Sequence, residues 1–135
     1  GLKAGIFVFL FDFLKPIAAY YLVSTYFSHG QITSWFWPLV AVIGHCYSPF
    51  LRMKGGKGVA TYLGALLVIN KITFLAAIVA WGSTFALWKT SWKSSITACL
   101  VSVMITPLEL ILTLLAPAMI VILRHKDNFN RSKEI

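Results

Sequence analysis

The stretch "LRMKGGKGVATYLGALLVI" (Leu51–Ile69) joins a cationic, glycine-rich loop directly to an apolar segment. Three cations and three glycines fall within the seven residues before Val59, and no charged residue follows up to Ile69. An apolar run bounded by positive charge is typical of a helix that enters a lipid bilayer from its polar surface. The stretch therefore predicts a membrane helix preceded by a loop that combines positive charge with bare backbone.

The composition of the whole chain indicates a membrane protein. Of its 135 residues, 59% are hydrophobic and 12% charged, against about 45–50% and about 25% in a soluble domain. A net charge of +8 is also found in nucleic-acid-binding proteins, but here the cations lie in short clusters between apolar runs. No nucleic acid is expected as a partner. Cys46 and Cys99 lack any paired or metal-ligand spacing, so neither a disulfide nor a metal site is predicted.

Six apolar segments are separated by charged residues, Pro, Gly or turn-forming clusters. In lipid only helices or closed barrels satisfy the backbone, and the alternation of a barrel is absent. The predicted fold is all-α: one membrane-embedded polytopic domain over residues 1–135. The predicted helices are Ala4–Phe27, Ile32–Phe50, Gly58–Ile69, Ile72–Trp88, Ser94–Ile105 and Leu108–Leu123.

Two of these segments, Gly58–Ile69 and Ser94–Ile105, are short for a membrane span. A helix of their length covers about 18 Å, whereas the hydrocarbon core is about 30 Å thick. Either they recruit flanking loop residues, or they stop below the membrane surface beside a polar cavity.

The positive charges also predict an orientation, because Lys and Arg in short loops favour the cytoplasmic side. If the chain begins on that side, ten of its 12 basic residues lie at cytoplasmic helix ends. Lys15 lies inside the first helix and Lys71 outside. We therefore expect both chain ends and the glycine-rich loop at the cytoplasmic face.

The loop before Val59 has features of an anion site. Gly55, Gly56 and Gly58 allow positive φ and close approach of a ligand, and the following helix N-terminus favours negative charge. Lys54 and Lys57 add positive charge. The spacing is not that of a nucleotide-binding P-loop. An ordinary cationic turn that only orients the chain in the membrane remains the alternative interpretation.

A second polar cluster, "LRHKDNFNR" (residues 123–131), follows the last apolar segment on the same predicted side. We predict that the final helix continues through it, which places His125 and Asn128 on one face and Arg124 four residues before Asn128. Basic residues at this place are also typical of a helix end at an anionic membrane surface. A capping or interfacial role is the alternative for His125.

Polar residues inside the first two helices form a third group. His45 and Cys46 are adjacent, and adjacent helical side chains point apart, which favours a pocket-lining imidazole and a buried thiol over a Cys–His nucleophile. Asp12 and Lys15 are three residues apart and can pair across one helical turn. Pro16 removes the donor for the Asp12 carbonyl, so we expect a kink there, with Lys15 helping to satisfy that carbonyl.

Three stretches, "FLFDFLK", "GHCYSPFLRMKGGKGVATYLG" and "RHKDNFNR", resemble in order and spacing the bacterial membrane glycerol-3-phosphate acyltransferases that use acyl phosphate, the PlsY family. The resemblance implies a seven-helix inner-membrane enzyme without a cofactor. Such an enzyme transfers an acyl group from acyl phosphate to the 1-hydroxyl of sn-glycerol 3-phosphate in phospholipid biosynthesis, giving lysophosphatidic acid and phosphate. It also implies membrane lipid and the soluble enzyme that makes acyl phosphate as partners.

The resemblance assigns roles residue by residue. The second family motif falls on Lys54, Gly55, Gly56, Lys57 and Gly58, with Lys57 as the phosphate ligand and the glycines around acyl phosphate. The third motif places His125 and Asn128 at the glycerol phosphate. Further pocket-lining positions are His45, Arg124 and Asp127, the last standing where the family usually has Glu.

The family's first helix and first motif would precede Gly1, so we expect the 135 residues alone to be weakly active or inactive. The H-x-x-x-x-D signature of another acyltransferase family is absent after all three histidines, and no side chain is an obvious nucleophile, which favours direct acyl transfer. A carrier or channel for a phosphorylated anion is the alternative, although no inverted repeat is visible. A non-catalytic membrane scaffold is a third interpretation.

Overall fold

The computed structural model describes residues 1–26, 31–48, 52 and 55–133. Within these ranges the chain forms helices and no strand, which confirms the predicted all-α class. A 3₁₀ turn, Leu108–Leu110, directly precedes α6. The α-helices are α1 (Leu2–Tyr26), α2 (Gln31–Cys46), α3 (Val59–Ile69), α4 (Lys71–Trp88), α5 (Ser91–Ile105), α6 (Ile111–Leu123) and α7 (Lys126–Lys133).

Several helix boundaries differ from the prediction. Helix α2 ends at Cys46, because Pro49 in the sequence disfavours helical backbone just before it, and the predicted end at Phe50 lies outside the described residues. Helix α5 begins at Ser91 and so recruits three residues from the preceding loop. Helix α3 recruits none; its 11 residues cover about 16 Å.

The prediction that one final helix runs through residues 123–131 is wrong. Helix α6 ends at Leu123, and the chain turns before α7 begins at Lys126. In the turn, the Arg124 N–H bonds to the Ile120 carbonyl at 2.9 Å, and the His125 N–H bonds to the Ile122 carbonyl at 3.0 Å. The change from an i−4 to an i−3 partner tightens the last turn of α6 and redirects the chain.

Small and polar side chains make up much of the interior of the bundle, beside larger apolar ones such as Leu66 and Leu114, and many large apolar side chains cover its outside. The exposed fraction is 72% for Phe7, 74% for Leu87 and 84% for Met104. Membrane helices pack through small residues and interhelical hydrogen bonds, because lipid removes the drive to bury large apolar groups. Buried residues include Thr61, Thr73, Ser94, Ser95, Ser102, Thr106, Ala65, Ala77 and Ala98.

The lengths of the apolar helices fit this arrangement only in part. Lys3–Tyr26 and Lys71–Trp88 are long and apolar enough to cross a membrane. The other apolar helices among the described residues are shorter: Phe36–Cys46, Val59–Ile69, Ser91–Ile105 and Leu108–Leu123. Of the six predicted spans, two therefore reach full length.

Helices α1 and α3 approach each other closely at Gly64. A Cβ atom there would overlap the Phe13 carbonyl oxygen, so only glycine permits this distance. Nearby, the Thr61 hydroxyl donates to the Asp12 carbonyl at 3.3 Å, the group that Pro16 leaves without its helical donor. We expected Lys15 in that role; its Nζ instead donates to Asp12 Oδ1 at 2.7 Å, forming the expected pair.

A buried polar seam, defined by Tyr62, Thr73, Ser102 and Thr106, connects α3, α4 and α5. The Tyr62 and Ser102 hydroxyls are 2.7 Å apart. The Ser102 hydroxyl donates to the Cys99 carbonyl at 2.7 Å, and the Thr106 hydroxyl to the Ser102 carbonyl at 2.6 Å. The Thr73 and Thr106 hydroxyl oxygens are 3.5 Å apart, so Thr73 can donate to Thr106. The seam therefore satisfies its hydroxyl groups within the helix bundle.

Candidate active site

A cavity of about 1280 Å³ opens at the end of the bundle where α2 ends and α3 and α5 begin. Its apolar lining comes mainly from α1, α2, α3 and α4 and includes Phe7, Val8, Phe9, Phe11, Val40, Leu63 and Ile78. Its polar lining comprises Asp12, Lys15, His45, Ser48, Lys57, Ser91, Ser95, His125 and Asn128, with backbone from Gly56 and Gly58. The cavity thus combines a polar region with a long apolar wall.

Helix ends that the charge pattern assigns to one side of the membrane do lie together at this cavity. The Arg124 guanidinium reaches the loop at Gly55, and the rings of Trp92 and Phe129 are 5.0 Å apart, which connects the start of α5 to α7. This grouping agrees with the prediction that the cation-bearing helix ends lie on the same side of the membrane. Which side of the membrane this end faces remains a prediction.

His125 lies in the cavity wall with 2% of its surface exposed. Its Nδ1 is 2.8 Å from the Val121 carbonyl oxygen; since a carbonyl only accepts, Nδ1 carries the proton and Nε2 is left as an acceptor. Burial lowers the pKa of His125, the Val121 bond raises it, and the nearby charge of Lys57 lowers it. The imidazole is therefore neutral at pH 7.

Asn128 lines the same cavity from the first turn of α7, where its N–H bonds to the His125 carbonyl at 2.9 Å. Its side-chain Nδ2 is buried and has no hydrogen-bond partner in the described part of the chain. A buried donor of this kind costs free energy unless a ligand or water accepts from it. Asn128 is therefore suited to bind an oxygen ligand inside the cavity.

The glycines of the loop are required by its contacts with the end of α2. Gly58 has φ +81 and forms the N-cap of α3. A Cβ atom at Gly56 would overlap the imidazole of His45, and one at Gly55 would overlap the His45 carbonyl oxygen. The Gly55 N–H also donates to the Cys46 carbonyl at 3.1 Å. The loop is therefore packed backbone to backbone against α2.

His45 connects this loop to the ion pair in α1. Its Nδ1 is 3.4 Å from Asp12 Oδ1, the oxygen that also accepts from Lys15. The opposite side of the ring, at Nε2, faces Gly56. His45 lines the cavity, whereas the neighbouring Cys46 is fully buried near Gly58.

Two predicted site residues are placed differently, and a third cannot be compared. Arg124 is not among the cavity-lining residues; its Nη2 donates to the Gly55 carbonyl at 2.8 Å and its Nε to the Gly56 carbonyl at 3.4 Å. Asp127 is exposed on α7 and does not line the cavity, because α7 turns it outward from the first turn. Lys54 lies outside the described residues.

Sequence reasoning missed the wall contributed by α4 and α5. Trp81 Nε1 donates to the Ser95 hydroxyl at 3.3 Å, and that hydroxyl donates to the Ser91 carbonyl at 2.9 Å. The predicted helix begins at Ser94, which places Ser91 and Trp92 in a loop, whereas α5 begins at Ser91. The signal was present, since Ser91 and Ser95 are four residues apart and share a helical face.

A sequence model described as "Glycerol-3-phosphate acyltransferase" matches residues 1–134. The chain belongs to this family. A glycerol-3-phosphate acyltransferase of Aquifex aeolicus is 35% identical over 141 residues, covering 97% of this chain and 71% of that protein. One from Legionella pneumophila is 34% identical over 136 residues, covering 97% and 49%. The chain thus spans about half the length of its Legionella relatives.

The fold is similar to that of a solved family member. Two crystal structures of PlsY (YgiH), an integral membrane glycerol 3-phosphate acyltransferase, match with a TM-score of 0.84 and 30% identity. They are a lysophosphatidic acid form and a glycerol 3-phosphate form; the match covers 98% of this chain and 70% or 68% of theirs. These findings confirm the family resemblance and the polytopic membrane fold.

Proposed function

We propose that the full-length protein transfers an acyl group from acyl phosphate to the 1-hydroxyl of sn-glycerol 3-phosphate. The products are lysophosphatidic acid and inorganic phosphate, formed in phospholipid biosynthesis. The observation that supports this best is the meeting of Lys57, His125 and Asn128 in a largely apolar cavity, where the Asn128 Nδ2 has no partner among the described residues. Such a cavity offers donors to a phosphate and an apolar wall to an acyl chain.

The polar end suits the phosphate of glycerol 3-phosphate. Lys57 supplies a positive charge and Asn128 a buried N–H donor, and hydrogen bonds to a charged phosphate are the strong ones in proteins. The neutral His125 presents Nε2 as an acceptor. This atom can accept a hydrogen bond from a glycerol hydroxyl and hold that hydroxyl at the reaction centre.

In the proposed reaction, the glycerol hydroxyl oxygen attacks the acyl carbonyl carbon, and the bond from that carbon to the phosphate oxygen breaks. The hydroxyl proton passes to His125 Nε2 or to a phosphate oxygen. Donors on the loop and Lys57 stabilise the charge that develops on the carbonyl and the leaving phosphate. The cavity aligns both substrates, so transfer becomes effectively intramolecular.

Direct transfer is favoured over an acyl-enzyme by the state of Ser95, one of three serines among the cavity-lining residues. The Ser95 hydroxyl donates its proton to the Ser91 carbonyl and accepts from Trp81. A serine nucleophile would instead donate to a base. Among the described residues, the cysteines Cys46 and Cys99 are buried outside the cavity lining.

The donor is tested with the purified full-length protein in lipid nanodiscs, given radiolabelled glycerol 3-phosphate and either acyl phosphate or acyl-coenzyme A. We expect labelled lysophosphatidic acid from acyl phosphate only. Product from acyl-coenzyme A alone would contradict the proposed donor. If neither donor gives product and the protein moves labelled glycerol 3-phosphate into liposomes, a carrier replaces the enzyme.

We also propose that the cavity faces the cytoplasm from the bacterial inner membrane. The support is the ten-of-12 bias of basic residues together with the grouping of those helix ends around one cavity. Reporter fusions after Ile135 should be cytoplasmic, and insertions within residues 28–31 should be on the opposite side. A periplasmic reporter after Ile135 would overturn this orientation.

A further inference from the structure

The Arg124 side chain hydrogen-bonds to the backbone of the glycine-rich loop. Its side chain extends from the turn after α6 and donates to two consecutive carbonyls, those of Gly55 at 2.8 Å and Gly56 at 3.4 Å. The guanidinium carbon also lies 5.2 Å from the centroid of the Tyr47 ring, within the range of a cation–π contact. The arginine is thus held between the end of α2 and the loop, outside the cavity lining.

The hydrogen bonds that the Gly55 and Gly56 carbonyls accept from Arg124 also fix the directions of two backbone N–H groups. In a trans peptide, the C=O of one residue and the N–H of the next point to opposite sides, and no described peptide bond is cis. Because the Gly55 carbonyl points at Arg124, the Gly56 N–H points away from Arg124. Because the Gly56 carbonyl also points at Arg124, the Lys57 N–H points away from it too. Gly56 and Lys57 line the cavity and Arg124 does not, and both N–H groups lie on the side of the loop away from Arg124.

We infer that Arg124 is a positioning residue that turns the N–H groups of Gly56 and Lys57 toward a phosphate in the cavity. The identity of that phosphate as part of a substrate rests on the proposed function. The buried, unpartnered Nδ2 of Asn128 lines the same cavity. The phosphate would therefore receive donors from two backbone groups, one amide side chain and the Lys57 ammonium.

A guanidinium is suited to this task because two adjacent glycines have no side chains to restrict them. Gly55 and Gly56 would otherwise sample many backbone conformations, including those that turn the N–H groups away. The planar fork of arginine holds two carbonyls in one geometry, whereas a lysine ammonium is a single point of charge on a flexible stem. Arg124→Lys should therefore keep the charge and lose most of the positioning.

Isotope labelling can observe these two N–H groups directly. In this chain Gly56 is the only glycine that follows a glycine, and Lys57 the only lysine that follows a glycine. Protein labelled with ¹³C-carbonyl, ¹⁵N glycine and ¹⁵N lysine therefore gives two carbonyl-coupled amide signals. Titration with inorganic phosphate should shift both signals in the wild type and in Arg131→Ala, a control at an exposed arginine of α7. Both shifts should be lost in Arg124→Ala and strongly reduced in Arg124→Lys.

Kinetics provide a second readout. In the full-length enzyme, Arg124→Ala should lower kcat/KM by about tenfold or more with an unchanged Tm, and added guanidinium ion should restore part of it. Methylammonium at equal concentration should not. A variant that had only lost packing would not distinguish the two ions. If Arg124→Ala does not fold, Arg124→Lys carries both tests.

The outcomes separate this inference from the proposed function. Normal phosphate shifts in Arg124→Ala or Arg124→Lys, or no shift in the wild type, would overturn the positioning role. If the phosphate shifts follow the expected pattern but the full-length protein transfers no acyl group from either donor, the proposed function fails and the positioning role stands.

Discussion

Two regions of the molecule place polar side chains among apolar helices, and they differ in how those side chains are paired. In the polar seam, the Tyr62 hydroxyl bonds to Ser102, and Ser102 and Thr106 bond to carbonyls of α5. At the cavity, the Asn128 Nδ2 has no partner in the described chain, and His125 uses one ring nitrogen on Val121. In an apolar medium an unpaired polar group is costly. The seam therefore holds helices together, and the cavity retains capacity for a ligand.

The largest effect that would separate the two regions is expected at Lys57. Lys57→Met removes a charge-assisted bond to phosphate worth about 1.5–3 kcal/mol, so kcat/KM of the full-length enzyme should fall by about 10- to 100-fold. The Tm should stay near that of the wild type. Lys71→Met, at the exposed start of α4, is the matched control and should retain activity. Near-normal turnover of Lys57→Met would leave the loop with an orienting role only.

A reciprocal pair of variants tests the comparison more sharply. Asn128→Ala removes no bond that the described chain makes, so its Tm should be unchanged while kcat/KM falls about tenfold. Tyr62→Phe removes a buried interhelical bond, and should cost about 0.6 kcal/mol of stability while leaving kcat/KM unchanged. Thermal unfolding and steady-state kinetics on both proteins provide the measurement. Loss of Tm in Asn128→Ala would mean that its amide is structural after all.

The smallest effect concerns pH. Because burial lowers the pKa of His125 below 6.5, the unfolded chain binds a proton first as the pH falls, and stability declines from about pH 6.5 downward. Above that pH the neutral His125 makes its full contribution to the free energy of unfolding. The Tm of the wild type should therefore fall more between pH 7.5 and pH 5.5 than the Tm of His125→Gln. Equal slopes for the two proteins would contradict a neutral, buried His125.

Binding of glycerol 3-phosphate should raise the pKa of His125, opposite to the effect of burial. A phosphate dianion close to His125 favours the imidazolium, whose Nε2 donates to the phosphate instead of accepting from the hydroxyl, so glycerol 3-phosphate should bind with proton uptake near pH 6. Calorimetry in buffers of different ionisation enthalpy measures this uptake. The loss of uptake in His125→Gln would assign it to this residue.

The sequence was sufficient for most of the fold because each apolar helix is bounded by charge, proline or a turn-forming cluster. Hydropathy alone placed α4 within one residue at Lys71 and ended α3 at Ile69 correctly. It failed at the boundary of α6 and α7. Arg124 and His125 carry no local breaking signal, so the turn there follows from contacts with the loop that are distant in sequence.

The candidate site was less completely predictable. The distribution of Lys and Arg among the loops predicted that Lys57, His125 and Asn128 lie on one side of the membrane. The structure places all three in one cavity. Their roles as ligands remain a prediction. The partner of the Asp12 carbonyl could not be inferred, because Thr61 lies 49 residues away and only the close approach of α1 and α3 joins them.

The turn between α6 and α7 has a consequence for how this protein tolerates change. Arg124 and His125 are neighbours in sequence, yet Arg124 hydrogen-bonds to the glycine-rich loop and His125 lines the cavity. A substitution alters one of these contacts, but an inserted or deleted residue between Leu123 and Lys126 would displace both side chains and disturb both contacts. The number of residues in this turn is therefore constrained as well as their identity. Relatives with a working site should keep the same number of residues here.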